Sequence, residues 1–353
     1  MMRVKGGASL NRQAGFSMVE LMVALVLGLF LTTAILQTFI GAKQTYELQQ
    51  ELSRIQENGR FAMSFLTKDI RAADFWGCLK DADASASGSV SSILSGAVSS
   101  NIYAGGVSGF NNVSVYSTGY TSVFGGVDAT SSDAILLQGA RGEGIAVEKV
   151  PSASSINIHL TSTNGIKQGD ILLVSDCTKG VMFQVTENPN PSDKIVVHGQ
   201  NGGGVNETPG NTQNGLGLTL DGSATVFHAE PVRYWVRIGV SGEPALIRGT
   251  DTDPWTGGDE LVEGVENLQF LYGVDVPPKN GTPNYFVSAD QVSSATTSMD
   301  DVVSVQIHLV ARSLRDNLIE PQIIDYYGGP KSVNDGRLRK VFVSTVAIRN
   351  RLD

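Results

Sequence analysis

At 353 residues, 41% apolar and 17% charged, the chain is long enough for one or two folded units with a substantial core, which excludes disorder throughout. Its net charge of −9 includes Arg3, Lys5 and Arg12, the only charges in residues 1–15, so without that segment it becomes −9 − 3 = −12. So acidic a chain is a poor partner for phosphate polymers, whose binding rests on Lys and Arg, and no nucleic acid is expected as a ligand.

Between Arg12 and Lys43 the only ionisable side chain is Glu20, near the start of an apolar run from Phe16 to about Ala42. As a helix rising ~1.5 Å per residue, that run reaches roughly 40 Å and crosses a bilayer's hydrocarbon core. A secretory signal has an apolar stretch of about 7–15 residues followed by a small-residue cleavage site. This run is nearly twice as long and lacks that site, so it reads as a retained membrane helix. A carboxylate inside hydrocarbon costs several kcal/mol unless it is compensated. A plain signal anchor gives Glu20 no role, and a glutamate that snorkels to the interface would need no partner.

The stretch "AGFSMVELMVALVLGLFL" resembles the leader of type IV pilins and pseudopilins: a short basic segment ending in glycine, then an aromatic residue, then glutamate at the fifth mature position. The resemblance implies that a prepilin peptidase cuts between Gly15 and Phe16 and that the new N-terminus at Phe16 is methylated. It also implies that Glu20 neutralises the α-amine of a neighbouring subunit in the filament. Amine and carboxylate four residues apart lie about one helical turn from each other. In a low dielectric their pairing is strong relative to leaving either charge alone.

From Lys43 to Phe75 there is no proline, and Leu48, Leu52, Ile55, Ala62, Leu66 and Ala73 form an amphipathic stripe. One continuous helix over about 16–75 is expected, apolar to about residue 42 and amphipathic after it; the alternative is a break near Gly41. Glu51/Arg54 and Glu57/Arg60 are spaced to pair on the exposed side. Gly59 falls on the apolar side, at a site of close packing or a bend. The chain changes character at Trp76–Cys78. Residues 82–130 are rich in Ser and Gly with almost no charge, and read as a long loop region, with short edge strands or a flexible segment as alternatives. Cys78 and Cys177 allow one internal pairing, and export would oxidise it. A structural disulfide is expected, against two unrelated thiols or half of a metal site.

After Ser132, short β signals recur with turn residues between them: "AILLQG", "GIAVEKV", "SINIHL", "DILLVSD", "VMFQVTE", "KIVVHG", "ATVFHAEPVRYWVRI", "NLQFLYGVD", "DVVSVQIHLVARS" and "RKVFVSTVAIRN". Val303, Val305, Ile307 and Leu309 share one face, as do Phe342, Ser344, Val346 and Ile348. No helical pattern separates these strands, so antiparallel pairing is favoured. The expected class is α+β, a long N-terminal helix, transmembrane in its first half, packed on a C-terminal antiparallel sheet domain.

"WGC", "GDILLVSDCTKGVMFQV", "YWVR", "ELVEGVENLQFLYGVD", "LVARS" and "LRKVFVSTVAIRNR" together resemble the PilW minor pilins, relatives of the J-type pseudopilins of type II secretion. The likeness covers the leader and helix, Gly169–Val185 and Glu230–Arg351, and leaves Ala82–Thr130 and Gln200–Gly215 unmatched. Both cysteines fall on matched segments, which favours the disulfide. The resemblance implies a leader (1–15), a helix (16–75) and a β-rich head (76–353). It implies an inner-membrane protein with a periplasmic head that later joins the extracellular fibre. Implied partners are prepilin peptidase, the major pilin, other minor pilins and a PilY-type tip adhesin.

The chain contains no GxxxxGK[ST], HExxH or GxSxG motif. "GQNGGGVNETPGNTQNG" at 199–215 lacks the Lys of a phosphate loop and reads as a mobile turn region. His159, His198, His228 and His308 lie on separate predicted strands without metal-ligand spacing. Asp251, Asp253, Asp259 and Glu260 offer a weak Ca²⁺ candidate, but their spacing fails the EF-hand pattern, and a solvated hairpin loop between "ALIRG" and "ELVEG" explains them. No cofactor and no catalysis are expected. The alternatives are a J-like pseudopilin and, from another class, a membrane-tethered periplasmic enzyme or binding module.

Overall fold

Helix α1 runs unbroken from Met18 to Ala72 through Gly28, Gly41 and Gly59, with no break near Gly41. The computed structural model describes residues 15–79, 90–95, 106–113, 132–200, 209–249, 258–292, 297–325 and 329–352. The chain divides after Glu51 into an N-terminal unit and a head beginning at Leu52.

In the N-terminal unit α1 is apolar on every side from Leu21 to Ala42 and polar from Lys43 on. Its large side chains from Phe16 to Ile40 are 53–85% exposed. It is also the one described helix long and apolar enough to cross a membrane. Thr32, Thr33, Thr38 and Thr45 each donate their hydroxyl to the carbonyl four residues earlier, at 2.8–3.0 Å. Such back-bonding satisfies a hydroxyl where no water is available.

Within the head, residues 52–72 of α1 are amphipathic. Ile55, Ala62, Leu66 and Ile70 are buried, and Ala73 follows them. Leu52, expected on this stripe, is exposed, and Ile70 takes a place in it instead. Gly59 is buried because a Cβ there would strike the Phe342 ring. Arg54 pairs with Glu263 across the packing interface at 3.2 Å.

Two sheets enclose this stripe. The first has β2 (Val107–Val113), β3 (Ser132–Leu137), β10 (Val232–Ile238), β11 (Pro244–Gly249) and β12 (Asp259–Glu263) in the order β12-β11-β10-β3-β2. The second has β13 (Val265–Val274), β14 (Tyr285–Val287), β15 (Val302–Arg312) and β18 (Arg339–Ala347) in the order β14-β13-β15-β18. Both are antiparallel throughout. The predicted alternation sets the register: Val305 faces Val346, Ile307 faces Ser344 and Leu309 faces Phe342. Ile55, Leu66 and Ile70 share one core with Ile135, Leu137 and Tyr234 of the first sheet and Phe270, Ile307 and Leu309 of the second.

A third sheet is built largely from the chain between β3 and β10: β1 (Val90–Ser92), β4 (Ala140–Lys149), β5 (Asn157–Leu160), β6 (Ile171–Ser175), β7 (Gly180–Gln184), β8 (Ile195–Val197) and β9 (Thr225–Ala229), in the order β1-β7-β6-β9-β4-β5-β8. Only its β1–β7 pair is parallel, against the expected antiparallel rule. The sheet curls so that the chain after β7 meets the β8 end, where the Thr186 amide donates to Val197 O at 2.9 Å. Asn211 seals this seam, its side-chain amide donating to Gln184 O at 2.8 Å and His198 O at 3.1 Å. The end of the stretch read as a mobile turn is thus pinned, since Asn211 is buried; residues 201–208 lie outside those described. Leu172, Val174, Val181, Phe183, Ile158 and Val226 fill the curl. A short hairpin of β16 (Gln322–Ile324) and β17 (Lys331–Val333), a one-turn helix, α2 (Ala289–Val292), and two 3-10 turns (Met299–Asp301 and Arg349–Arg351) complete the described elements.

Two strand expectations change. "ATVFHAEPVRYWVRI" is divided at Glu230–Pro231 between β9 and β10, which lie in different sheets, because Pro231 has no N–H to continue a ladder. The Ser/Gly-rich segment is not loop throughout: it supplies β2, and β1 as an edge strand, while residues 80–89, 96–105 and 114–131 fall outside the described residues.

Cys78 and Cys177 form a disulfide with Cα atoms 4.7 Å apart, tying the turn after α1 to the β6–β7 hairpin. That hairpin is set by Asp176, one of whose carboxylate oxygens accepts the Thr178 amide at 3.1 Å, the Thr178 hydroxyl at 2.7 Å and the Lys179 amide at 3.0 Å. This network holds Cys177 in the left-handed region, at φ 69°. Closing a loop across a separation of 99 residues is worth about 4.7 kcal/mol in the chain-entropy account of disulfides.

Candidate assembly site

Residues 15–17 precede α1, whose first turn is closed by the Leu21 amide donating to Ser17 O at 3.1 Å. Gly15 and the ring of Phe16 are exposed. Glu20 lies in the first helical turn, where free amides and the helix dipole favour a negative charge. Among the described residues no cation pairs with it.

An exposed apolar surface this large is not stable in water. It fits lipid, or a bundle of like helices. In either medium the back-bonded threonines are satisfied internally, and Glu20 is the one ionisable side chain between Arg12 and Lys43. The helix surface therefore presents a continuous apolar face carrying one charge near its N-terminus.

The head presents charges arranged differently. Asp69, on the buried side of α1, joins the helix to two sheets. Its carboxylate accepts from Arg141 Nη1 of β4 at 3.0 Å, Arg248 Nε of β11 at 3.1 Å and the Tyr234 hydroxyl of β10 at 2.6 Å. Burial alone would raise the Asp69 pKa, but Arg141, the Tyr234 hydroxyl and Arg248 outweigh it and hold the carboxyl below its ordinary value. Burial and the neighbouring carboxylate push the Tyr234 phenol up, so it keeps the proton it donates. Sequence reasoning missed this hub, although the signal was present: Asp69 sits between Leu66 and Ile70 on an otherwise apolar stripe.

The basic residues near the C-terminal end divide into two groups. Arg312 and Arg337 share Glu243 at 2.8 and 3.1 Å, and Arg339 holds Glu266 and Asp335, both at 2.6 Å. Arg351 pairs with Asp74. Lys340 lies over the Phe342 ring, 5.6 Å from its centre, and Arg349 is exposed.

The remaining candidates are dispersed. Asp259 and Glu260 open β12, and Glu260 accepts the Val240 amide at 3.0 Å, while Asp251 and Asp253 lie outside the described residues. Among the described residues no group of three or more His, Cys, Asp or Glu is gathered as metal ligands. His198 is fully buried, 5.0 Å from the Phe183 ring, and burial lowers its pKa to about 4. His228 stands 3.8 Å from Asp170, and His308 bonds to Gln306 at 3.1 Å.

Two family models match the chain. The prokaryotic N-terminal methylation motif covers residues 10–36, containing Gly15, Phe16 and Glu20. Type IV Pilus-assembly protein W covers residues 233–350, from β10 to the end of the four-stranded sheet. The curled seven-stranded sheet lies outside both. No curated protein and no solved structure matches the chain. The two matches support a type IV pilus minor pilin, a structural and not an enzymatic kind of protein, and the leader motif together with the apolar helix points to membrane anchoring. A methylation motif on α1, and a match to Type IV Pilus-assembly protein W across the sheets that pack on that helix, are thus the two family likenesses that the chain carries.

Proposed function

We propose that this protein is a minor pilin of the type IV pilus. It is held in the inner membrane by the first half of α1 with its head in the periplasm, cut by prepilin peptidase between Gly15 and Phe16, and methylated on Phe16. Extracted from the membrane, it enters the pilus tip with other minor pilins, next to the major pilin and a PilY-type adhesin. There it primes assembly and supports display of the fibre in adhesion and twitching motility. In this reading the chain comprises a leader (1–15), a helix shared with the filament core (16–75) and a head that makes the specific contacts (76–353). The observation that carries it is the helix surface: apolar on every side, with Glu20 as its one charge before Lys43.

Cleavage supplies what Glu20 lacks. The α-amine does not exist until the Gly15–Phe16 bond is cut, and the carboxylate four residues on is placed to neutralise it on an adjacent subunit. Mass spectrometry of the mature protein is expected to find an N-terminal methylated phenylalanine at Phe16; an intact Met1, or a cut beyond residue 42, is incompatible with this function. The Glu20→Ala variant should be cleaved and folded normally but depleted from sheared pili by about tenfold or more, corresponding to loss of a charge pair worth over ~1.4 kcal/mol. Incorporation equal to wild type would remove the pairing role from Glu20.

A further inference from the structure

One groove in the head runs against the charge of the whole molecule. It has a volume of about 1090 Å³ and is bordered by the last turns of α1, the start of β4, the end of β11 and the residues after β18. Lys68 and Arg71 of α1 and Arg349 are exposed there and, among the described residues, make no ion pair. Arg141 and Arg248 complete the lining, sharing the single carboxylate of Asp69. Five cations around one carboxylate give a formal +5 − 1 = +4, on a chain whose net charge is −9. Between the charges lie apolar walls from Met63, Phe75 and Ala140. A favourable dipole interaction at the end of α1 accounts for Arg71. It does not account for Arg349, which comes from another element.

We propose that this groove docks an acidic segment of a partner protein, its carboxylates meeting Lys68, Arg71 and Arg349 and an apolar side chain lying against Met63 and Phe75. A long polyanion is disfavoured, because away from the groove it meets the field of an acidic molecule. A short acidic segment feels the local cations, since surface charges more than about 8 Å away are screened at physiological salt. The mixed lining also suits a peptide better than a phosphate backbone. The proposal rests on the minor-pilin reading only in placing the partner among proteins assembled beside this head; docking itself requires no assembly.

The test uses the full chain in zwitterionic-lipid nanodiscs, with fluorescence anisotropy of a short labelled Glu/Leu peptide and of its Gln/Leu counterpart. The acidic peptide is expected to bind in a salt-dependent manner and the amide peptide not to bind. A Lys68→Gln/Arg71→Gln/Arg349→Gln variant should bind it roughly tenfold more weakly, three exposed pairs of about 0.5 kcal/mol each, with an unchanged unfolding midpoint. Equal binding of the two peptides, or unaltered binding by the triple variant, overturns the proposal. So does displacement of the peptide by a single-stranded oligonucleotide or by anionic vesicles at lower charge concentration, which would assign the groove to phosphate. Each result stands whether or not the protein assembles into pili.

Discussion

Asp69 shows how one side chain can be structural and costly at once. A carboxylate on the buried face of a helix is tolerated because two guanidinium groups and a phenol converge on it from three strands. Removing it leaves those groups without their shared acceptor, and breaking a buried pair in this way costs more than the pair contributes in net. Asp69→Ala is expected to lower the free energy of unfolding by about 3 kcal/mol, read from urea titration of the full chain. A loss under roughly 0.5 kcal/mol, the size of a surface change, would mean that the hub is solvated. Its contribution is greatest at neutral pH: the folded carboxyl has the lower pKa, so the stabilisation is present above the unfolded value and fades as pH falls through the folded one.

His198 makes the head acid-sensitive in a higher window. It is buried in the curled sheet with a pKa of about 4, against 6.5 for the free group. As pH falls below 6.5 the unfolded chain takes up a proton that the folded one refuses until about 4, so stability declines between those values. A difference of 6.5 − 4 = 2.5 sets the full loss at about 3 kcal/mol. His198→Leu should flatten stability across pH 4–6.5 in denaturant titrations of the full chain; an unchanged slope would mean that the imidazole is hydrated in the folded state.

At the scale of elements, α1 is two helices in one. Its first half is apolar all round, as suits lipid or a bundle of helices, and its second half has a single stripe because only one side meets the sheets. Gly59 marks a close approach of helix and sheet, where the Phe342 ring of β18 occupies the space of a side chain. Ala has the higher helix propensity by about 1 kcal/mol, yet Gly59→Ala should destabilise the head, because overpacking costs roughly 1–3 kcal/mol. Combining it with Phe342→Leu should recover most of that loss, since the leucine leaves room for the methyl group. If Gly59→Ala is stabilising by itself, the ring moves freely and the close approach is not a constraint.

At the scale of the whole molecule, the parts legible in the sequence were those governed by local pattern. The long apolar run with its early carboxylate, the stripe through Ile55, Ala62 and Leu66, and the alternation of Val305, Ile307 and Leu309 are each fixed by the period of one element meeting one environment. The cysteine pair was legible for a simpler reason: there were only two. The assignment of strands to sheets was not legible. Pro231 marks a break, but nothing local says that β9 and β10, two residues apart, enter different sheets, or that β3 joins β10 across most of a third sheet; those pairings are set by which buried faces match once the chain has collapsed. The charges followed the same rule. Sequence alone supplied Glu20, because in an apolar run a single charge is conspicuous without any fold. Only tertiary structure decided which arginines are consumed in ion pairs and which, like Arg349, stay unpaired among the described residues beside Lys68 and Arg71, because an ion pair depends on distances between elements far apart in the chain.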